Sequence, residues 1–336
     1  AKERDVEGGR EIKAEVGSQE SKLKEIEKKL NNLLLNIPNL PLDAVPVGGE
    51  DDSEILKTVD EPKKFNFQPK DHLEIGEKLD IIDVARASKV SGTRFAYLKN
   101  EGVLLELALI QFAVENLMKE GFSPVIPPAL IRREITEGLG YWQGKIDEKH
   151  TANDNYYLVS DPEENEQGLY LIGTGEHAIV PMHKDEVLIG KELPKKYAAF
   201  SPSYRREAGS YGKDTRGILR VHQFDKVEMV EFVKPEDDEE QRKKMLSLAE
   251  NFVKALGLPY RLVRLASRDI SFPTAETIDI ETWIPSQNKY RETHSVSTTT
   301  DFQARRLNIR YLPAGRQGQD GVEKKFVHIL NGTAIA

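Results

Sequence analysis

Residues 201–228 read SPSYRREAGSYGKDTRGILRVHQFDKVE, and this stretch decides the fold. A strand pattern over 197–204 runs into Arg205, Arg206 and Glu207. A turn-rich stretch follows over 208–217, and a second strand pattern spans 218–233. No helix separates the two runs, so they pair as antiparallel neighbours. Moving outward, further strand-like runs sit near 122–126, 168–173, 258–265, 275–284 and 289–298. Helical patterns sit near 76–87, 101–120, 175–190, 236–256 and 299–306. Several strands adjoin one another directly. That order predicts an α+β fold, an antiparallel sheet flanked by helices, rather than a doubly wound parallel sheet.

The first 40 residues differ from the rest. Val16, Gln19, Leu23, Ile26, Leu30, Leu33 and Ile37 follow one another at alternating spacings of three and four, a heptad seam with one polar position. Lysine and glutamate fill the outer faces, and Pro38 and Pro41 end the helix. The pattern fits either an amphipathic helix packed on the body or one strand of a coiled-coil arm; a coiled coil needs a partner, and no second heptad stretch follows. Residues 42–70, rich in proline, glycine and acids, read as a linker or surface wrap, and Pro313–Gly321 as a flexible loop. The expected domains are 1–43, the heptad helix, and 44–336, a mixed α and β body.

Composition narrows the function. Lys+Arg 48 against Asp+Glu 56 gives a net charge of −8, which argues against a generic basic nucleic-acid binder. The absence of cysteine excludes disulfide scaffolds and thiolate zinc sites. The most apolar run, 102–117, is broken by Glu106, Gln111 and Glu115, so no membrane span is expected, and neither is a signal peptide. These features point to a cytoplasmic enzyme or specific binder.

There is no G-x-x-x-x-G-K-[ST] loop and no G-x-G-x-x-G turn, so phosphate chemistry has to rest on arginine side chains. Alternation along the second strand puts Arg220, His222, Phe224, Lys226 and Glu228 on one face. Guanidinium groups grip phosphate and an aromatic ring can stack on a base, although a solvated hairpin with charge pairs has the same pattern. In 289–306, KYRETHSVSTTTDFQARR, alternation sets Tyr290, Glu292 and His294 opposite Arg291, Thr293 and Ser295. A carboxylate near hydroxyl groups suits magnesium shared with phosphates, and a polar edge strand reads the same way. In LIGTGEHAIV, residues 171–180, Thr174 fits a helix N-cap with Glu176 in the first turn. The scattered histidines do not suggest a metal site.

Taken together and in order, these segments resemble the seryl-tRNA synthetases, class II aminoacyl-tRNA synthetases. GFSPVIPPAL (121–130) is similar to the family's first motif, with Pro128 at a dimer interface; 201–229 resembles the second, and HILNGTAIA (328–336) the opening of the third. TDFQARRLNIRY (300–311) is characteristic of seryl enzymes, and the heptad helix resembles the returning half of their long arm. The resemblance implies activation of L-serine by ATP, with Mg2+, to seryl-adenylate, then transfer to the terminal adenosine of tRNA(Ser) by a homodimer. It implies that Arg205 and Arg220 act on the phosphates and Glu228 on serine as catalytic groups. ATP contacts fall to Arg205, Arg206, Glu207, Arg220, Val221, Phe224, Glu292, Thr293, His294 and Ser295, and magnesium to Glu292 and Ser295. Serine is surrounded by Thr174, Gly175, Glu176, Arg205, Glu228 and Thr333. Ser210, Tyr211 and Lys213 lie near the tRNA acceptor end.

Strict alternation sets Glu292 and Ser295 on opposite faces, so a bulge or strand end has to re-aim one of them. Gly175 stands where alanine or serine is usual, a change of little expected effect, while His294 and Thr298 replace a common serine and asparagine near the nucleotide. The lack of an initiator methionine, of a first arm helix, and of the third motif's ATP-clamping arginine beyond Ala336 leads to the expectation of a chain shortened at both ends. Two alternatives stay open: a paralogue loading a carrier protein, against which the arm helix counts, and a non-catalytic tRNA-binding paralogue, against which the retained arginines and Glu292 count.

Overall fold

The structure, a computed structural model, describes residues 6–142, 152–161, 165–208, 214, 216–313 and 323–336. Ser210, Tyr211, Lys213 and most of the 313–321 segment lie outside the described residues. The chain forms two compact units, Ala1–Pro38 and Asn39–Ala336.

In the first unit, α1 (Val6–Leu35) is a single helix of 30 residues. Its seam residues Val16, Leu23, Ile26, Leu30 and Leu33 are exposed, and Ile37 falls beyond the helix end.

The second unit is built on an eight-stranded sheet, numbered here β1 (Glu54–Val59), β2 (Ser123–Val125), β3 (Lys195–Tyr204), β4 (Gln223–Val233), β5 (Tyr260–Arg264), β6 (Glu276–Ile284), β7 (Lys289–Thr298) and β8 (His328–Ile335). The strand order is β1-β5-β6-β7-β8-β4-β3-β2. Every pair is antiparallel except β2 with β3 at one edge. The helices are α2 (His72–Lys78), α3 (Val84–Ser91), α4 (Glu101–Lys119), α5 (Arg133–Leu139), α6 (Glu176–Ile179), α7 (Asp238–Ala255) and α8 (Phe302–Leu307). None among the described residues is long and apolar enough to cross a membrane.

The α+β expectation holds, with local corrections. The stretch 42–70 is not only a linker: β1 lies inside it, pairing with β5, and the segment before β1 runs along the sheet, Leu42 N donating to Ala275 O and Ser267 N to Pro46 O. Its proline- and acid-rich flanks hid a strand of only six residues. The single helix expected at 76–87 is two, α2 and α3, because Asp83 caps a new helix by accepting from Arg86 N. The 175–190 pattern breaks into α6, a 3-10 turn over Val180–His183 and a short strand, Val187–Ile189. The strand expected from 218 begins at Gln223, so Arg220 and His222 precede it.

Two apolar layers enclose the sheet. On one face Ala113 and Leu117 of α4 and Met245, Ala249, Phe252 and Val253 of α7 pack on Ala198, Val227, Met229, Ile278, Ile280 and Val296. Gly121, at φ +84, turns the chain from α4 into β2, with Phe122 N closing on Leu117 O. On the other face Leu139, Ile179, Ala304, Leu307 and Tyr311 meet Ala199, Val230, Phe232 and Ile329.

Glu231 is a misfit on the α4/α7 face. It is fully buried, Lys196 Nζ stands 3.6 Å from its Oε1, and neither carboxylate oxygen has a hydrogen-bond partner. Burial pushes its carboxyl up to about 7, against the pull of Lys196. The folded state thus binds this proton more tightly than the unfolded chain. The associated stability is full below the ordinary value of 4.5 and is lost as pH rises through about 7. Glu231→Gln is expected to flatten that loss, by up to about 3 kcal/mol between roughly pH 5 and pH 8 in urea unfolding. Identical pH dependence in variant and parent would contradict it.

Candidate active site

The rest of the second face is polar and buried. Alternate residues of a strand share a face, and β3 opposite β4 brings Ser201, Ser203, Phe224, Lys226 and Glu228 to the side of Ala199 and Val230, through the pairs Ala199↔Glu228, Ser201↔Lys226 and Ser203↔Phe224. On the other side of β4, Glu228 faces Thr333 of β8. Further along, Thr277 and Ser297 share a hydrogen bond of 2.9 Å, and Asp279 pairs with Ser295. The hydroxyls of Ser201 and Ser203, Asn331 Nδ2 and Asp279 Oδ1 are buried without partners. An apolar core does not tolerate such a set, so these groups mark a surface made for a polar ligand.

Thr174, Glu176, Glu228 and Thr333 are all buried and converge. The chain leaves a strand at Leu171 and enters α6 at Glu176, which swings Thr174 and Glu176 over β4. Thr174 does not cap the helix as expected, since no side chain caps α6; its hydroxyl lies instead 3.4 Å from Lys226 Nζ. Lys226 in turn forms an ion pair with Glu228. Glu176 accepts from Tyr141 Oη at 3.0 Å and from Gln303 Nε2 at 2.8 Å. Burial raises its carboxyl to about 7; the Gln303 bond opposes that rise and the Glu228 charge adds to it. Behind it Trp142 stacks on Tyr156 at 4.2 Å, and His177 closes the aromatic floor with Nδ1 accepting from Gly173 N.

Gly175 adopts ordinary helical angles, φ −58 and ψ −29, so it is not required by the backbone. Space requires it: a Cβ there would lie 2.8 Å from Ala199 Cβ and 3.4 Å from Glu228 Cβ. The small effect expected from the sequence therefore needs revision, because Ala199 fills the room that an alanine at 175 would use. Gly175→Ala is expected to cost about 1–3 kcal/mol by overpacking, and Ala199→Gly in the same chain to restore most of it. Thermal melts of the single and double variants check this; additive losses would contradict it.

Beside the pocket, Arg205 donates Nε to Gly173 O at 3.1 Å, and its guanidinium lies 5.4 Å from the Phe224 ring centroid. His222 donates Nδ1 to Arg205 O at 3.0 Å, holding the strand exit in place. Arg220 donates to Glu207 at 2.6 Å, and Glu207 sits at φ 53, a left-handed backbone uncommon for this residue. Arg206 is exposed and Val221 half-buried just before β4. Arg291 of β7 pairs with Asp214, and His72 Nε2 accepts from Ile218 N at 3.0 Å, so the hairpin loop is tied at two points.

β7 carries the expected bulge. Ile280 pairs with His294 and Glu281 with Glu292, which leaves Thr293 as the extra residue. The alternation shifts there, so Glu292 and Ser295 come to one face. Burial raises the neighbouring Asp279 carboxyl well above the usual carboxylate range, and the Glu292 charge adds to that. Two corrections follow. The His294 side chain is buried, with Nε2 donating to Ala334 O at 3.1 Å and its pKa lowered by burial to about 4, so its ring is spent inside the protein. Thr298 donates to Asp238 of α7 at 2.8 Å, on the opposite face from the nucleotide position.

The sequence reading missed Tyr141, which no local pattern singled out, and gave no role to Gln303 or Lys226, although one lies in the TDFQARR string and the other on the alternating face. Among the described residues no group of three or more His, Asp or Glu stands ready for a metal. The oxygen donors Glu292 and Ser295 fit a magnesium ion that takes its other ligands from phosphate and water.

An antiparallel sheet with helices behind it, an arginine over an aromatic ring at the strand exit and a buried cluster of carboxylates and hydroxyls alongside define a class II aminoacyl-tRNA synthetase core. Residues 157–336 match the tRNA synthetase class II core domain (G, H, P, S and T). The chain is 45% identical over 328 residues to the serine–tRNA ligase of Corynebacterium glutamicum, covering 98% of this chain and 73% of that one. It is 44% identical to that of Thermodesulfovibrio yellowstonii, covering 97% and 73%. Among solved structures it resembles seryl-tRNA synthetase from Pyrococcus horikoshii complexed with ATP, at TM-score 0.88 and 40% identity, covering 98% of this chain and 75% of that one. The chain belongs to the serine–tRNA ligase family.

Proposed function

We propose that this protein activates L-serine with ATP and transfers the seryl group to the terminal adenosine of tRNA(Ser). The observation that carries this reading is the buried convergence of Thr174, Glu176, Glu228 and Thr333 beside Arg205 and Phe224. Carboxylates answer the substrate ammonium, and hydroxyl groups read its side-chain oxygen. A site of this kind rejects alanine, which leaves those polar groups unpaired.

In this reading ATP lies across β4 and β7. Phe224 stacks on adenine, Glu207 and the backbone near Val221 meet its edge, and Arg220 leaves Glu207 for the outer phosphates. Arg206, Thr293 and His294 contribute backbone rather than side-chain contacts. Arg205 holds the α-phosphate while the serine carboxylate attacks it and pyrophosphate departs. No protein nucleophile is needed, because alignment and charge stabilisation carry the step. Glu292 and Ser295 would hold Mg2+, which neutralises phosphate charge.

We further propose a homodimer working in the cytoplasm, with α1 as one strand of a tRNA-gripping arm. Exposed Leu104, Leu105 and Leu107 of α4, together with Ile126 before Pro128, support a second copy at that face. The exposed seam of α1 supports a coiled-coil partner. Amino-acid-dependent ATP–pyrophosphate exchange tests the activation step: serine alone among the twenty amino acids should support it strongly. Exchange driven equally by alanine or threonine would refute the assignment.

A further inference from the structure

Lys226 has no part in the roles given above, yet it sits at their centre. It is buried, its ammonium pairs with Glu228, and it lies 3.4 Å from Thr174 Oγ1. Its charge also reaches Glu176, His177, His294 and Glu292. Glu228 and Thr174 are two of the groups that the serine reading assigns to the substrate. A positive charge therefore stands where, in the serine reading, the substrate ammonium meets Glu228.

Two ammonium groups crowded on one buried carboxylate repel each other. Pulling Lys226 away with nothing in exchange would leave a buried charge unpaired, which is strongly unfavourable. A zwitterion avoids both problems, because it brings a carboxylate as well as an ammonium.

We propose that Lys226 is a placeholder: it neutralises Glu228 before the substrate binds and passes to the substrate's α-carboxylate when the substrate's own ammonium takes Glu228. One ion pair becomes two, and no buried charge is left alone. Lys226 then helps hold the carboxylate that attacks the α-phosphate, and the pocket admits amino acids while refusing simple amines. The inference rests on the serine reading of the pocket.

The test compares L-serine with serinol, which keeps the ammonium and hydroxymethyl groups and lacks the carboxylate, by calorimetric titration of the full chain. The parent protein should prefer serine. Lys226→Met should weaken serine by about 30-fold, the scale of one lost charge-assisted contact, while serinol binds at least as tightly as before because Glu228 has lost its occupant. Equal weakening of both ligands, or no change in either, would overturn the placeholder role. Since Lys226→Met leaves Glu228 without its cation, the charge-free pair Lys226→Met/Glu228→Gln provides a second check. There the preference for serine over serinol should shrink by the same factor of about 30, and an undiminished preference would overturn the proposal. A parent protein that binds no serine would overturn the serine reading and the placeholder together, whereas failure of the placeholder alone leaves serine binding to the parent intact.

Discussion

Arg205→Ala is expected to lower kcat/KM for serine-dependent pyrophosphate exchange by about 10³-fold, the loss typical of removing a group aimed at transition-state charge. The reason lies in how the side chain is held. Its Nε is committed to Gly173 O and its guanidinium lies over the Phe224 ring, so the group is held in place before substrate binds. A phosphate that gains charge during attack meets a donor that does not have to reorganise. Arg205→Lys should recover little of the loss, since an ammonium cannot bond Gly173 O and grip phosphate with the same fork. ATP binding itself should weaken far less, because adenine and the outer phosphates have other partners. A variant with a raised KM for ATP and an unchanged kcat would show that Arg205 only binds the nucleotide.

Glu276→Ala is expected to destabilise the fold by about 3–5 kcal/mol, the range for breaking a buried ion pair by removing one partner. Glu276 is 2% exposed and lies between two arginines: it pairs with Arg242 of α7 and accepts from Arg264 Nε at 2.9 Å. Arg264 continues to Glu54 of β1 at 2.7 Å. On the other side Arg242 approaches Asp238, whose Oδ2 accepts from Thr298 at 2.8 Å and His328 Nδ1 at 2.7 Å. One network thus ties α7 to β1, β5, β6, β7 and β8. Without Glu276, two guanidiniums face each other with too little negative charge between them. Thermal unfolding should fall by roughly 5–10 °C on the scale of a domain this size, and Glu276→Gln should show a smaller loss because it still accepts a hydrogen bond. A shift within experimental error for Glu276→Ala would mean the arginines find water or other carboxylates at no cost.

What the sequence made legible was whatever is local. The hairpin around 201–228 could be read because its two strands adjoin, and Phe224, Lys226 and Glu228 do share a face as alternation requires. Strict alternation against the two positions that the resemblance implies on one side called for a bulge or a strand end, and the structure has a bulge, at Thr293. Contacts across the fold were harder to see. Tyr141 reaches Glu176 from 35 residues away and Gln303 from 127, and nothing in either neighbourhood announces it. β1 was hidden because an edge strand of six residues, flanked by prolines and acids, has the composition of a linker. Thr298, three residues beyond Ser295, turns to the opposite face and donates to Asp238, a helix partner 60 residues away that no local pattern announces. Gly175 shows the limit most clearly, since its importance depends on Ala199, which is a neighbour only in the folded sheet.

The central claim is that Thr174, Glu176, Glu228 and Thr333 form a pocket selective for the seryl group beside a nucleotide site. The most direct measurement is calorimetric binding of a non-hydrolysable seryl-adenylate analogue against its alanyl and threonyl counterparts, using the chain as it stands. Saturable binding with the seryl analogue tightest, by about 10²-fold or more over the alanyl one, is the predicted result. Equal affinity for the three, or no binding by a cooperatively folded sample, would contradict it.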